Sequence, residues 1–303
     1  MKTILTSVLV GSLLTTLAVA QQPSRFAGRR GFAYNPERRT AQTSAPGAAR
    51  LMVYAITIGF EFGAVDLRSG AFLPIGPGLP PDVGDGLVQG PGTSLLSLGF
   101  AGNLDAIDPF TGQASVVGAT GLGDCSTPAS PCGPNSANWI GLIDGHYYVT
   151  DFANNLYSLD PKTAATKLIG PTGIPGIVFP PFSENPDGSV NVYAESLFSA
   201  RGKLYANFAT ASLNPATGTV TPIIPGALYQ INPETGHARL IAPTDTNLTS
   251  VVNVNETIYA FDAATGQVVT LDVTNGLTTA VSDLDPTAGV IGGATPVRPG
   301  EKD

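Results

Sequence analysis

The sequence predicts an all-β fold, a β-propeller of five four-stranded blades, and three observations carry that prediction. The first is a repeated junction, in which a short apolar run ends in Asp or Asn, turns, usually reaches Gly, and gives way to a second apolar run. It occurs at Asp66-Leu-Arg-Ser-Gly70, Asp108-Pro-Phe-Thr-Gly112, Asp160-Pro-Lys-Thr-Ala164, Asn232-Pro-Glu-Thr-Gly236 and Asp272-Val-Thr-Asn-Gly276. Hairpins recurring every ~40 residues or more mark a stacked array, because one four-stranded blade cannot bury its own apolar faces. The second is composition: 36 Gly, 26 Pro and no sustained helical period call for short strands and tight turns. The third lies at the ends. Residues 51–58, 63–66 and 71–76 supply only three strands, and residues 290–297 supply one left over. Pairing them completes a blade and closes the ring without a free sheet edge.

Each blade is built from two hairpins. In the third unit, residues 139–143 and 146–150 flank the turn Asp144-Gly145, and residues 156–160 and 166–170 flank Pro-Lys-Thr. The fourth unit repeats this with 196–200 and 203–206 around Arg201-Gly202, then 228–232 and 238–242. The second unit supplies 104–108 and 114–118. The first strand of each unit is expected innermost. Two additional turns, Asn214-Pro-Ala-Thr-Gly218 and Asp262-Ala-Ala-Thr-Gly266, leave six shorter blades as the alternative.

The Asp or Asn of each junction is assigned to the turn itself. Its side chain accepts turn amides, Pro presets the next residue, and Gly takes positive φ. The pattern resembles the propellers of the NHL, YVTN and quinoprotein-like superfamilies, whose blades run through a similar Gly-Leu-Tyr-x-x-Asp-Pro-x-Thr-Gly style of sequence. The resemblance covers residues 51–297 and implies the fold only, since unrelated functions share the motif.

Outside the propeller, residues 1–20 read as a secretory signal, with Lys2, an apolar run, and Ala18-Val19-Ala20 as the cleavage site. Residues 21–50 carry Arg25, Arg29, Arg30, Arg38, Arg39 and Arg50 without strand alternation, which suits a flexible leader, and 298–303 form a polar tail. The expected location is therefore secreted, periplasmic or cell-envelope, with no membrane span after signal cleavage. In that setting Cys125 and Cys132, the chain's two cysteines, are expected to form a disulfide within a Pro-rich loop. A formal net charge of -8 opposes binding to nucleic acid. A monomer is expected.

If the blades run from inside to outside, the tight turns share one face of the disc. The long connections, residues 77–85, 119–137, 171–194, 209–226 and 243–247, then share the other. Loops of that length on a rigid scaffold are where binding is sought. Asp85, Asn138, Glu195 and Asn247 would open the inner strands on that face, with Asp124, Trp139, Glu184 and Asp187 near them in sequence. Carboxylate and amide oxygens converging at a channel mouth suit a hard divalent cation such as Ca2+. In residue type and expected position the set resembles sugar-lactone hydrolases of the regucalcin kind. In a metal-dependent hydrolase built on this set, the ion would polarise a carbonyl and Glu195 would double as base.

Other chemistry is poorly served. His146 and His237, the two histidines, both sit beside turns on the tight-turn face, and Trp139 is the lone tryptophan, expected as core packing. No Gly-x-Ser-x-Gly, phosphate loop or dinucleotide fingerprint occurs in a strand-to-helix context. The first reading is a non-catalytic exported binding or scaffold propeller that needs no cofactor and holds a protein, glycan, peptide or small polar ligand. The alternative is a divalent-metal-dependent hydrolase or lyase of a sugar lactone or similar polar metabolite.

Overall fold

The computed structural model describes residues 51–297, apart from 81, 85, 124–132, 177–186, 215–218, 245–247 and 264. The expected signal, leader and tail, and Cys125, Cys132, Asp85, Asp124, Glu184 and Asn247, lie outside the described residues.

The strands are β1 (Met52–Thr57), β2 (Phe62–Asp66), β3 (Phe72–Pro74), β4 (Leu87–Gln89), β5 (Leu95–Leu98), β6 (Asn103–Ile107) and β7 (Ala114–Ala119). They continue as β8 (Ala137–Ile143), β9 (His146–Asp151), β10 (Asn155–Leu159), β11 (Thr166–Pro171), β12 (Val190–Ala200), β13 (Lys203–Asn214) and β14 (Thr219–Ile231). The last are β15 (Ala238–Pro243), β16 (Leu248–Val254), β17 (Thr257–Asp262), β18 (Gln267–Leu271), β19 (Thr278–Asp283) and β20 (Ile291–Pro296). They form five four-stranded antiparallel sheets, and the order β20-β1-β2-β3 closes the ring by pairing the two ends of the chain. The turns that suggested a sixth blade are internal connections. Asp262 to Gly266 joins β17 to β18, and Asn214 pairs with Thr219 at the tip of β13 and β14.

Strands β4, β8, β12, β16 and β20 neighbour one another across blades and form the inner ring. Their period-2 alternation feeds five apolar layers, one per seam between blades. One such layer joins Trp139, Phe152 and Leu156 of blade 3 to Leu197, Leu204 and Phe208 of blade 4. Burying each such side chain is worth about 1.5–3 kcal/mol, so stability resides in the seams rather than in any one blade.

Side-chain hydrogen bonds fix the blades against one another. Ser196 Oγ accepts the Val251 amide at 3.0 Å, Asn253 Nδ2 donates to Ser199 O at 3.1 Å, and Thr249 Oγ1 donates to Ile291 O at 2.6 Å. At the rim, each junction turn packs against the outer strand of the preceding blade. A Cβ on Gly112 would stand 2.6 Å from Ile75 O, one on Gly236 2.7 Å from Gly170 O, and one on Gly70 would overlap the Asp283 carbonyl. These glycines therefore answer a close approach as well as the positive φ expected from sequence. Ala164, at φ 64°, is the one departure, and the position facing it is Gly118.

The junction Asp and Asn side chains do what the turn chemistry predicts. Asp66, Asp108, Asp160, Asn232 and Asp272 each accept, through Oδ1, the amide two residues on, at 3.0, 2.8, 2.9, 2.8 and 2.9 Å. None is released for a ring of ligands.

Two of the expected long connections are partly strand. Residues 209–214 and 219–226 run on as the paired ladder of β13 and β14, and residues 190–194, expected within the connection 171–194, lie alongside them in β12. The last row shared by four strands of blade 4 is Glu195, Phe208, Ala227 and Pro243. Beyond it three strands continue as an arm. Register shifts in the β13–β14 ladder fall between Phe208 and Ala211, at the base of the arm. Pro222 and Pro225 fall within β14. Proline is tolerated on an edge strand, and over residues 219–225 β14 has no outer partner, Gly226 O accepting the Thr244 amide at 2.8 Å.

Candidate functional site

Antiparallel pairing sorts the connections between faces. Asp144-Gly145, Arg201-Gly202, Asn255-Glu256 and the five junctions share the tight-turn face, and the inter-blade connections and the arm share the other. His146 and His237 are exposed beside turns on the tight-turn face, as expected.

Glu195 sits at the base of the arm. The sequence placed it at the start of its strand, but β12 begins at Val190, so Glu195 lies inside the ladder and is 0% exposed. Asn138 Nδ2, from β8 of the neighbouring blade, donates to Glu195 Oε2, and Thr150 Oγ1, from β9, donates to Oε1 at 3.3 Å. Glu195 thus spans the seam between blades 3 and 4 with both oxygens engaged. Burial pushes its carboxyl up to about 8. The hydrogen bonds from Asn138 and Thr150 pull the other way, and the charge of Asp151 adds to the rise.

Asp151 is held differently. Its Oδ1 accepts the Asn155 amide at 2.8 Å, and its Oδ2 accepts Asn155 Nδ2 at 2.8 Å and the Tyr157 hydroxyl at 2.9 Å. Two buried carboxyl groups therefore stand in one seam, one wrapped in donors and one desolvated. Around them Asn138 Oδ1, Trp139 Nε1 and Thr210 Oγ1 are buried without a hydrogen-bond partner. Trp139 lies in the apolar layer of this seam, as its assignment to the core required.

Of the four expected metal ligands, the structure brings Asn138 and Glu195 together. Asn138 turns its amide nitrogen, not its oxygen, toward the carboxylate. Among the described residues no three His, Cys, Asp or Glu side chains group closely enough to hold a metal ion. Sequence reasoning missed Thr150 and Asp151. The signal was there in the polar pair Thr150-Asp151 that ends β9 directly after Val149. A further buried carboxyl, Asp105 on β6, is pushed up to about 6 by burial and then by the charge of Asp82.

The strand pairing defines the class of protein as a five-bladed β-propeller. No protein-family model matches the chain, and no curated protein matches it in sequence. Among solved structures it is similar to a chain of a nidogen/laminin complex, at 12% identity over 81% of this chain and 97% of that one, with a TM-score of 0.46. It is similar to virginiamycin B lyase from Staphylococcus aureus at 11% identity, over 78% of this chain and 72% of that one, with a TM-score of 0.38. For the PQQ-bound aldose sugar dehydrogenase from Streptomyces coelicolor the values are 13% identity, 70% and 63% coverage, and a TM-score of 0.39. At these identities the likeness concerns the fold alone, and no activity or ligand is carried over from these proteins.

Proposed function

We propose that the chain is an exported, non-catalytic binding or scaffold protein whose loop face holds a protein, glycan, peptide or small polar ligand. The observation that carries this reading is the arm. Strands β12, β13 and β14 have 11, 12 and 13 residues, whereas the inner strands β8 and β16 have 7 each. Closing a propeller does not require that extension, and it projects from the face where the inter-blade connections gather. Ile223 on the arm is 43% exposed. Pro222 and Pro225 cannot donate along the free edge of β14, which disfavours recognition by strand addition and favours a partner read through side chains.

The test replaces residues 210–226 with an Asn-Gly turn and screens both proteins on glycan and peptide arrays. We expect the shortened protein to keep its far-UV spectrum and to lose at least about tenfold in affinity for whatever the intact protein binds, about 1.4 kcal/mol. Equal binding by both proteins would overturn the role of the arm.

The contact between Glu195 and Asn138 favours a second reading, the divalent-metal-dependent hydrolase or lyase of a sugar lactone or similar polar metabolite. Here Asp85, Asn138, Glu195 and Asn247 would hold Ca2+ or a related ion, and Glu195 would serve as base. In this reading excess calcium raises the melting midpoint over that in EDTA, and Glu195→Gln abolishes the rise. A midpoint that is the same in excess calcium and in EDTA removes it.

A further inference from the structure

The tight-turn face carries an open hollow of about 290 Å³ between blades 4 and 5, lined by Arg201, Glu256 and Asp272 together with the largely buried Ile258, Leu271 and Val273. The two-residue turns that build it depart from the residues such turns prefer. Both central positions of these hairpins have positive φ, which favours Asn or Asp first and Gly second. Asp144-Gly145 conforms, at φ 49° and 78°. In the next two blades one position each does not. Arg201 occupies the first position of its turn at φ 52°, and Glu256 occupies the second position of its turn at φ 64°. A non-glycine residue in this region carries a strain of about 1 kcal/mol or more.

The two departures face the same cavity and bear opposite charges. Apart from the field of Asp272 on Arg201, neither side chain is taken up by a hydrogen bond or ion pair among the described residues. Asp272 is itself engaged by its turn. Its carboxyl is held below its ordinary range chiefly by the Thr274 hydroxyl and amide, with Arg201 a lesser cause. A guanidinium fork and an uncommitted carboxylate thus line one hollow together with three aliphatic residues.

We propose that this cavity binds the zwitterion of an apolar α-amino acid. The Arg201 guanidinium takes the carboxylate in a forked pair, the Glu256 carboxylate takes the ammonium, and Ile258, Leu271 and Val273 receive the aliphatic side chain. The volume, about 290 Å³, lies just below the usual range for ligand pockets, which suits a single amino acid rather than a peptide. The site lies on the face opposite the arm and stands independently of the loop-face reading.

Thermal melts test the assignment, with L-leucine, N-acetyl-L-leucine and L-leucinamide as probes. At tenfold excess over its dissociation constant, leucine is expected to raise the midpoint by about 2–4 °C. The two blocked derivatives, each missing one charge, leave it unmoved. Arg201→Gln and Glu256→Gly abolish the leucine shift, and the second variant folds without difficulty because glycine relieves the positive φ. The protein lacking residues 210–226 keeps the shift. Equal shifts from a blocked derivative, a shift that survives in either variant, or no shift up to roughly 50 mM leucine overturns the proposal.

Discussion

Replacing Glu195 by Gln is expected to stabilise the protein by about 3 kcal/mol at pH 7, with a rise in melting midpoint of roughly 6–12 °C. The folded carboxyl titrates at about 8, against an ordinary value of 4.5, so the native state keeps a proton that the unfolded chain releases. The contribution of Glu195 is therefore fully present below the unfolded value, is lost progressively as pH rises from 4.5 to about 8, and is level above that. Gln has the shape of the protonated acid and no proton to lose, so the difference between the two proteins should be small at pH 4 and greatest above pH 8. Asp105 also weakens the fold as pH rises toward its value of about 6, but it is common to both proteins and cancels in the difference. Urea melts of both proteins across this range check the prediction. A difference that does not grow with pH would mean that Glu195 is ionised within the seam at neutral pH.

The second large effect concerns the rim. Gly70→Ala and Gly145→Ala both place a methyl group at positive φ, 72° and 78°, so strain from the backbone is equal in the two. At Gly145 nothing lies within 4 Å of the added atom, and the expected cost is the conformational penalty, about 1 kcal/mol. At Gly70 the methyl overlaps the Asp283 carbonyl, part of the seam where the first and last blades meet. The turn or the β19 backbone must move there, and we expect a loss of more than about 3 kcal/mol. Paired denaturation curves measure the gap, and equal losses would show that the rim yields freely.

The fold was legible because its signals are local. The Asp-to-Gly junctions, the two-residue turns and the unpaired strand at each end of the chain are short-range patterns, and each occupies its expected place. The rim contacts of Gly70 and Gly236 were not legible, since a turn glycine looks the same whether or not a carbonyl from the preceding blade lies against it. The arm was not legible for a related reason. A proline-containing segment fits a strand only where that strand has a free edge, and the sequence does not show which edges are free. At the base of the arm the sequence singled out Asn138 and Glu195 by residue type. Their meeting across a seam, and the part of Thr150 and Asp151 in it, depends on how neighbouring blades face each other. Nothing in one blade's sequence encodes that.

The pairing of β1 with β20 sets the order in which this molecule can be made. Residues 53 and 296 are ladder partners, so a growing chain remains an open arc until almost its last strand has emerged. Until then Val53, Ala55 and Val65 of the first blade lack the Ile291 and Ala294 that share their apolar layer. So distant a contact makes closure a slow, late event in folding, during which two greasy ends wait for each other. A synthesis that stalls before residue 291 would leave a soluble-looking stack of blades with an adhesive surface at each end.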